Sequence, residues 1–459
     1  MNSLLRHGLL SVWFALLLSC GGGGGGGGGP VILAGNAGTP SAAGSTATAG
    51  SPASTADASS SGAPAGNGAQ GGGGLGGIAS NSEGTTTASA TSGDDGSGVG
   101  SGGTGVSTAD ATGVGAVDGA GSIIVNGLRY ATDSTVGSIE DAPAGLQLGM
   151  TAKVTGPVNA DFTSGIARRV ESAADLRGPL ASIDQKQGSF VVLGTTVTTD
   201  DATVWADSSG LAALALGRTV QVWGLPGAPG VLRATRVEQR DASTLILTGT
   251  VQGLDLVSRS FMLGGLRVDY SAASLTGGPD SQPLANGVLV RVRAGSVGPA
   301  GVAATVVQRW YPVPMADGTT AQVAGIVTGY AGLGTFKLLG IPIDASAAQI
   351  TGGPASGIGN GVRVEVGGVV SNGVLRVSKL KIRHVPGTGG PSSFNLIGTV
   401  GAFRSAADFR VRGQPVDASG PRVMFSNGTA ANLGNGVKVN VRGAEVVNGV
   451  LIATEVVFE

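Results

Sequence analysis

The sequence predicts an all-β protein: five tandem small five-stranded β-barrels behind a disordered Gly/Ala/Ser-rich N-terminal segment. Three observations lead there. A five-residue core recurs as "IIVNG", "FVVLG", "FMLGG", "FKLLG" and "FRVRG", beginning at Ile123, Phe190, Phe261, Phe336 and Phe409. Each copy is followed by an alternating run ("TAKVTG", "TVQVWG", "VLVRVRAG", "VRVEVGG", "VKVNVRG") and then by a second apolar run such as "GVLRVSKLKI". Strict alternation is the mark of half-buried strands, and no copy contains an extended amphipathic helix.

Taken in order, the chain opens with Arg6 and an apolar run at residues 9–18, too short to span a bilayer core of about 30 Å as a helix. That is the layout of an export signal over residues 1–19. Cys20 is the only cysteine in the chain, so no internal disulfide is available to it. Residues 20–112 are Gly, Ala, Ser, Thr and Pro with few charges, including nine consecutive glycines from Gly21. Such a segment buries too little apolar surface to offset its ordering entropy, and it is expected to be a disordered tether. A flexible coil of roughly 90 residues reaches on the order of 50 Å.

The repeats are expected at residues 113–171, 178–240, 249–310, 325–383 and 398–459. In each copy a glycine falls four residues after the start of the core: Gly127, Gly194, Gly265, Gly340 and Gly413. These suit a tight turn or a positive φ. Another glycine opens the first strand upstream: Gly113, Gly178, Gly249, Gly325 and Gly398. In "GVRVEVGG", Val362, Val364 and Val366 should face a core while Arg363 and Glu365 face water, which fixes the register. Five strands in about 60 residues, curled to cover both edges, suggest a barrel of the oligonucleotide/oligosaccharide-binding (OB) type, with a small open sandwich as the alternative. Residues 208–217, "SSGLAALALG", could supply the short helix of that fold; the matching "GGPASGIGNG" offers a turn at most. Units this small have marginal cores, so neighbours should support one another along a rod.

The segment around Cys20 resembles bacterial lipoprotein signal peptides, whose cleavage box is a Leu, two small residues and Cys. Here the box reads Leu17, Leu18, Ser19, Cys20, with the bulkier Leu18 where a small residue is usual. The resemblance implies lipid attachment at Cys20, and Gly21 rather than Asp after it implies the outer membrane, on its periplasmic face or the cell surface. Residues 113–459, with "GSIIVNGLRY" in the first repeat and "LGNGVKVNVRG" in the last, resemble the bacterial family called domain of unknown function 5666. That resemblance implies small β-barrel repeats on exported proteins and no established activity.

Composition narrows the function further. A formal charge of -1 and the absence of a Lys/Arg run argue against nucleic acid as a partner. Only His384 remains once His7 leaves with the signal, so a zinc site built on several His or Cys ligands is excluded within one chain. No "GxSxG" elbow or phosphate-binding "GxxxxGK[ST]" occurs, and His384 reads as a solvated strand terminus. Asp269, Asp344 and Asp417 stand at equivalent places four residues after the recurring glycine, where Ala131 and Thr198 stand in the first two copies. Calcium wants six to eight oxygens, so a turn role is the simpler reading of these carboxylates.

No catalytic constellation, metal site or cofactor is therefore expected. Function should lie where the copies differ, which singles out Trp205, Trp223, Trp310 and Tyr311 as candidate binding aromatics, with packing between units as the competing role. The leading expectation is a non-enzymatic, lipid-anchored envelope protein that presents its modules as a scaffold or adhesive array, held to the membrane through Cys20 and facing a glycan or an envelope protein. A carbohydrate-binding lipoprotein is the second reading, and an envelope hydrolase using carboxylates the third.

Overall fold

The structure is a computed structural model that describes residues 110–132, 135–142, 145–241, 244–276, 283–384 and 394–459. Cys20, the export signal and nearly all of the tether lie outside the described residues. Every element longer than a single turn among the described residues is a β-strand.

The fourth repeat shows the pattern. Its first strand, Thr320–Ile326, runs antiparallel to Arg363–Ser371, and after Val327 the chain continues as Thr328–Gly332 against Thr335–Leu338. Thr335–Leu338 and Ile341–Asp344 form a hairpin. The latter lies parallel to the closing strand Val374–His384, which returns antiparallel along Arg363–Ser371. The same pairings recur in the fifth repeat and, with local variation, in the others.

The recurring glycine closes a two-residue hairpin. Val125 pairs with Leu128, Val192 with Thr195, Leu338 with Ile341 and Val411 with Gln414. Both central residues have positive φ in these four copies: Asn126 and Gly127, Leu193 and Gly194, Leu339 and Gly340, Arg412 and Gly413. That is the φ pattern of a type I′ turn, whose twist matches that of the flanking strands. The upstream glycine is its counterpart. A Cβ on Gly178 would stand 2.8 Å from Leu193 Cγ, and one on Gly398 would stand 2.8 Å from Arg412 Nε. The turn side chain thus folds back onto a bare stretch of the first strand. In the first copy this seat is Gly115, under Asn126, while Gly113 makes room for the Tyr130 hydroxyl.

Two expectations are corrected. Residues 208–217 form no α-helix; a 3-10 turn, Leu211–Ala213, stands there, and Ala355–Gly357 and Ala430–Asn432 are its equivalents. More importantly, the repeats are not discrete OB-like barrels. The first strands join across repeats: Ala111–Ala120 lies parallel to both Thr320–Ile326 and Phe394–Ser405, and Leu176–Asp184 pairs with Leu245–Asp255. The result is a 20-stranded sheet from repeats 1, 4 and 5 and a 12-stranded sheet from repeats 2 and 3, a continuous, solenoid-like winding of short strands. Glycine makes the joins possible, because a Cβ on Gly119 would lie 2.4 Å from Asn395 O and one on Gly121 2.1 Å from Ile397 O.

The cores follow the sheets. One apolar cluster runs through repeats 2 and 3, from Leu176 and Phe190 to Phe261 and Val307. The cluster of repeat 5, centred on Phe409 and Val441, also takes in Leu148 and Val204 from repeats 1 and 2. Each recurring Phe is buried.

Candidate functional site

Polar chemistry is concentrated in two places: buried seams between repeats, and an open cleft. The seams arise from the outer faces of the alternating strands. Val362, Val364 and Val366 face the core of repeat 4, yet Arg363 and Glu365 are buried as well, contrary to the expectation that they face water. Repeats 1 and 2 cover them, with Asp200 of repeat 2 and Asp118 of repeat 1 both acting on Arg363. Arg383 Nε donates to Glu365 Oε1 at 2.5 Å and Arg383 Nη2 to Asp118 Oδ2 at 3.0 Å. Burial pushes Asp118 up to about 6 against the pull of Arg383, and the Glu365 carboxylate sharing that arginine adds to the rise.

The central seam joins repeats 1, 2 and 3 around Asp175, which is fully buried. Its carboxylate accepts from Thr151 Oγ1 (2.6 Å), the Gly224 N–H (2.8 Å), Arg291 Nη2 (2.9 Å) and Trp310 Nε1 (2.5 Å). The Arg291 guanidinium lies 4.9 Å from the centre of the Tyr311 ring, and the Tyr311 hydroxyl accepts from the Ala173 N–H at 2.9 Å. Burial raises the Tyr311 phenol, with Arg291 opposing. Beside it, Asp141 receives Arg177 and Arg293, each at 2.7 Å. Burial alone would raise Asp141, but the two arginines hold it below the usual carboxylate range. The chain of contacts continues through Gln221 to Glu238, Arg236 and Arg240.

The candidate aromatics belong to these seams. Trp223, Trp310 and Tyr311 are buried, and Trp205 is half-buried against the core of repeats 2 and 3. Trp310 and Tyr311 meet edge to face at 4.7 Å, Trp223 lies under Arg236, and none of these three offers an open ring face. The Trp205 carbonyl accepts from the Gly449 N–H at 2.9 Å, which docks the last hairpin of repeat 5 on repeat 2. Sequence reasoning missed Asp175, Arg291 and Asp141. The available signal was an arginine inside the apolar run "VLVRV", since a guanidinium there needs a partner wherever the strand is covered on both faces.

Asp269, Asp344 and Asp417 each accept the backbone N–H two residues on, from Ser271, Ser346 and Ser419, at 2.8–3.0 Å. The Ser271 and Ser346 hydroxyls, together with those backbone bonds, hold Asp269 and Asp344 below the ordinary carboxylate range. His384 ends the strand Val374–His384, opposite Arg363 in register. Among the described residues no group of three His, Cys, Asp or Glu side chains is placed to hold a metal, and no helix is long and apolar enough to cross a membrane.

The cleft lies between repeats 1, 2 and 5 and encloses about 900 Å³. Repeat 1 contributes residues 119–123 and 146–148, repeat 2 contributes Asp207 and residues 238–240, and repeat 5 contributes Arg410, residues 412–415 and Asn448. Arg236 and Arg240 on its wall are engaged by Glu238. Asp207 Oδ2 accepts the Gln239 N–H at 2.8 Å.

The family described as "Domain of unknown function (DUF5666)" matches three stretches of the chain, residues 177–238, 324–380 and 397–457. They coincide with the second, fourth and fifth repeats. A search of curated proteins finds no match.

Proposed function

We propose that this chain is a non-enzymatic, lipid-anchored cell-envelope protein whose repeats form one rigid binding array on a long tether. The observation that carries the reading is the Asp175 seam, in which the Thr151 hydroxyl of repeat 1, the Gly224 N–H of repeat 2 and the Arg291 guanidinium and Trp310 indole of repeat 3 converge on one carboxylate. An array of independent modules has no use for such a joint, whereas a surface that must keep its spacing does. Anchoring rests on the lipobox at Cys20 and the tether on the composition of residues 20–112. Several acyl chains, at roughly 0.8 kcal/mol per buried methylene, would hold the chain on a membrane.

The test is protease shaving of intact cells with an antibody to the last repeat, alongside labelling by a radioactive fatty acid. Labelling that vanishes in Cys20→Ser supports the anchor, and labelling that persists overturns it. Loss of the epitope while a periplasmic control survives places the array at the cell surface; protection until the outer membrane is opened places it in the periplasm. A second reading, carbohydrate binding, is favoured by the polar cleft between repeats 1, 2 and 5.

A further inference from the structure

The five repeats act as internal controls for one another. At the second position of the recurring core the copies carry Ile124, Val191, Met262, Lys337 and Arg410, and at the fourth Asn126, Leu193, Gly264, Leu339 and Arg412. The hairpin therefore forms without arginine at either place, and only the fifth copy has arginine at both. Arg410 stands on the strand Asp408–Val411 and Arg412 in the turn that follows it, and both side chains reach the same cleft. That cleft is the one of about 900 Å³ between repeats 1, 2 and 5.

Arg410 and Arg412 are exposed, and neither meets a carboxylate among the described residues, unlike Arg236 and Arg240 across the cleft. Carbonyl oxygens hold them instead. Arg410 Nη1 donates to Gly413 O at 2.9 Å, while Arg412 donates through Nε to Ile397 O at 3.3 Å and through Nη2 to Gly121 O at 3.4 Å. A guanidinium fixed by neutral carbonyls keeps its full charge and retains donors for an anion, with part of its ordering entropy already spent.

The rest of the lining selects the kind of anion. Gln239 and Asn448 offer amides that both donate to and accept from hydroxyls, Gln147 and Gln414 each have one end engaged (Gln147 Oε1 by Arg236, Gln414 Nε2 by the Pro415 and Gly449 carbonyls), and no Phe, Tyr or Trp lines the cleft to stack a nucleobase. The volume is within the range of ligand sites and is far larger than one small ion needs. We propose that this cleft binds an acidic glycan, with uronate carboxylates on Arg410 and Arg412 and sugar hydroxyls on the amides. The proposal deepens the binding-array reading and rests on it.

The test is calorimetric titration of the full chain in detergent with hexagalacturonate, with maltohexaose as the neutral counterpart and inorganic phosphate as competitor. The double variant Arg410→Met and Arg412→Asn takes residues that other copies carry at these positions, and Asn tolerates the left-handed turn. Hexagalacturonate should bind, bind more weakly as salt is added, and lose about tenfold or more in affinity in the double variant. Because Arg412 also ties repeat 5 to repeat 1, Arg410→Met alone provides the same comparison within one hairpin. No hexagalacturonate binding, or unchanged binding in these variants, overturns the proposal. Equal binding of maltohexaose overturns the acidic assignment while leaving the binding array standing. Phosphate that binds as tightly as the hexasaccharide reduces the site to one for an adventitious ion only, which also overturns it.

Discussion

Repeats 4 and 5 build the same strand from "VRVEV" and "VKVNV", and the two strands meet different fates. Val364 and Val366 are buried, as are Val439 and Val441. On the opposite face Arg363 and Glu365 are buried against repeats 1 and 2, whereas Lys438 is exposed and Asn440 half-buried. Alternation thus specifies which residues face the core of their own repeat. What covers the other face is decided by the neighbour. The buried charges are accordingly arranged as networks with hydrogen-bonded partners, while the exposed pair Arg442 and Glu455 at 2.7 Å in repeat 5 has water as an alternative.

The contrast can be broken most severely at the central seam. Asp175→Asn leaves Arg291 buried without its carboxylate and should cost about 3–5 kcal/mol, read from urea denaturation. The glycine seats come next. Gly178→Ala drives a methyl into Leu193, which is itself held in a left-handed turn, and should cost about 1–3 kcal/mol. Gly401→Ala, in the first strand of repeat 5 with open space around it, should be neutral or slightly stabilising.

Asp118 gives the contrast a pH signature. Its pKa is raised to about 6 in the folded chain, so between the ordinary carboxylate range near 4 and that value the folded state binds more protons than the unfolded one. Its contribution is therefore favourable at the acid end and declines as pH rises through this window. Asp118→Asn should gain in melting temperature relative to wild type from about pH 4 to about pH 7, and a constant difference would contradict the assignment. A small effect is expected at the exposed face: Arg442→Gln should cost less than about 1 kcal/mol and diminish further with added salt.

Much of this architecture is legible in the sequence because it is local. The core Phe, the two-residue turn and the alternating valines all follow from period and turn chemistry within a dozen residues, and the aspartates at Asp269, Asp344 and Asp417 read correctly as turn formers. The joining of repeats was not legible, since pairing of Ala111–Ala120 with Thr320–Ile326 links positions about 200 residues apart and leaves only permissive glycines as a trace. The same blindness affected the charges: Arg291 and Arg363 in an alternating strand look like solvent-facing residues until the neighbouring repeat is in place. The candidate aromatics were found because the copies differ there, but difference between copies marked seams at Trp223, Trp310 and Tyr311 and a cleft at Arg410 and Arg412.

The central claim is that buried seams make the repeats one mechanical unit. Hydrogen exchange of the full chain, compared between wild type and Asp175→Asn, tests it most directly. The account predicts that exchange rises together in Thr151–Gly156, Thr219–Pro226 and Leu289–Gly298, the strands of repeats 1, 2 and 3 that meet at Asp175. A rise confined to one of those repeats, with the other two unchanged, would show that the modules are independent and would contradict it.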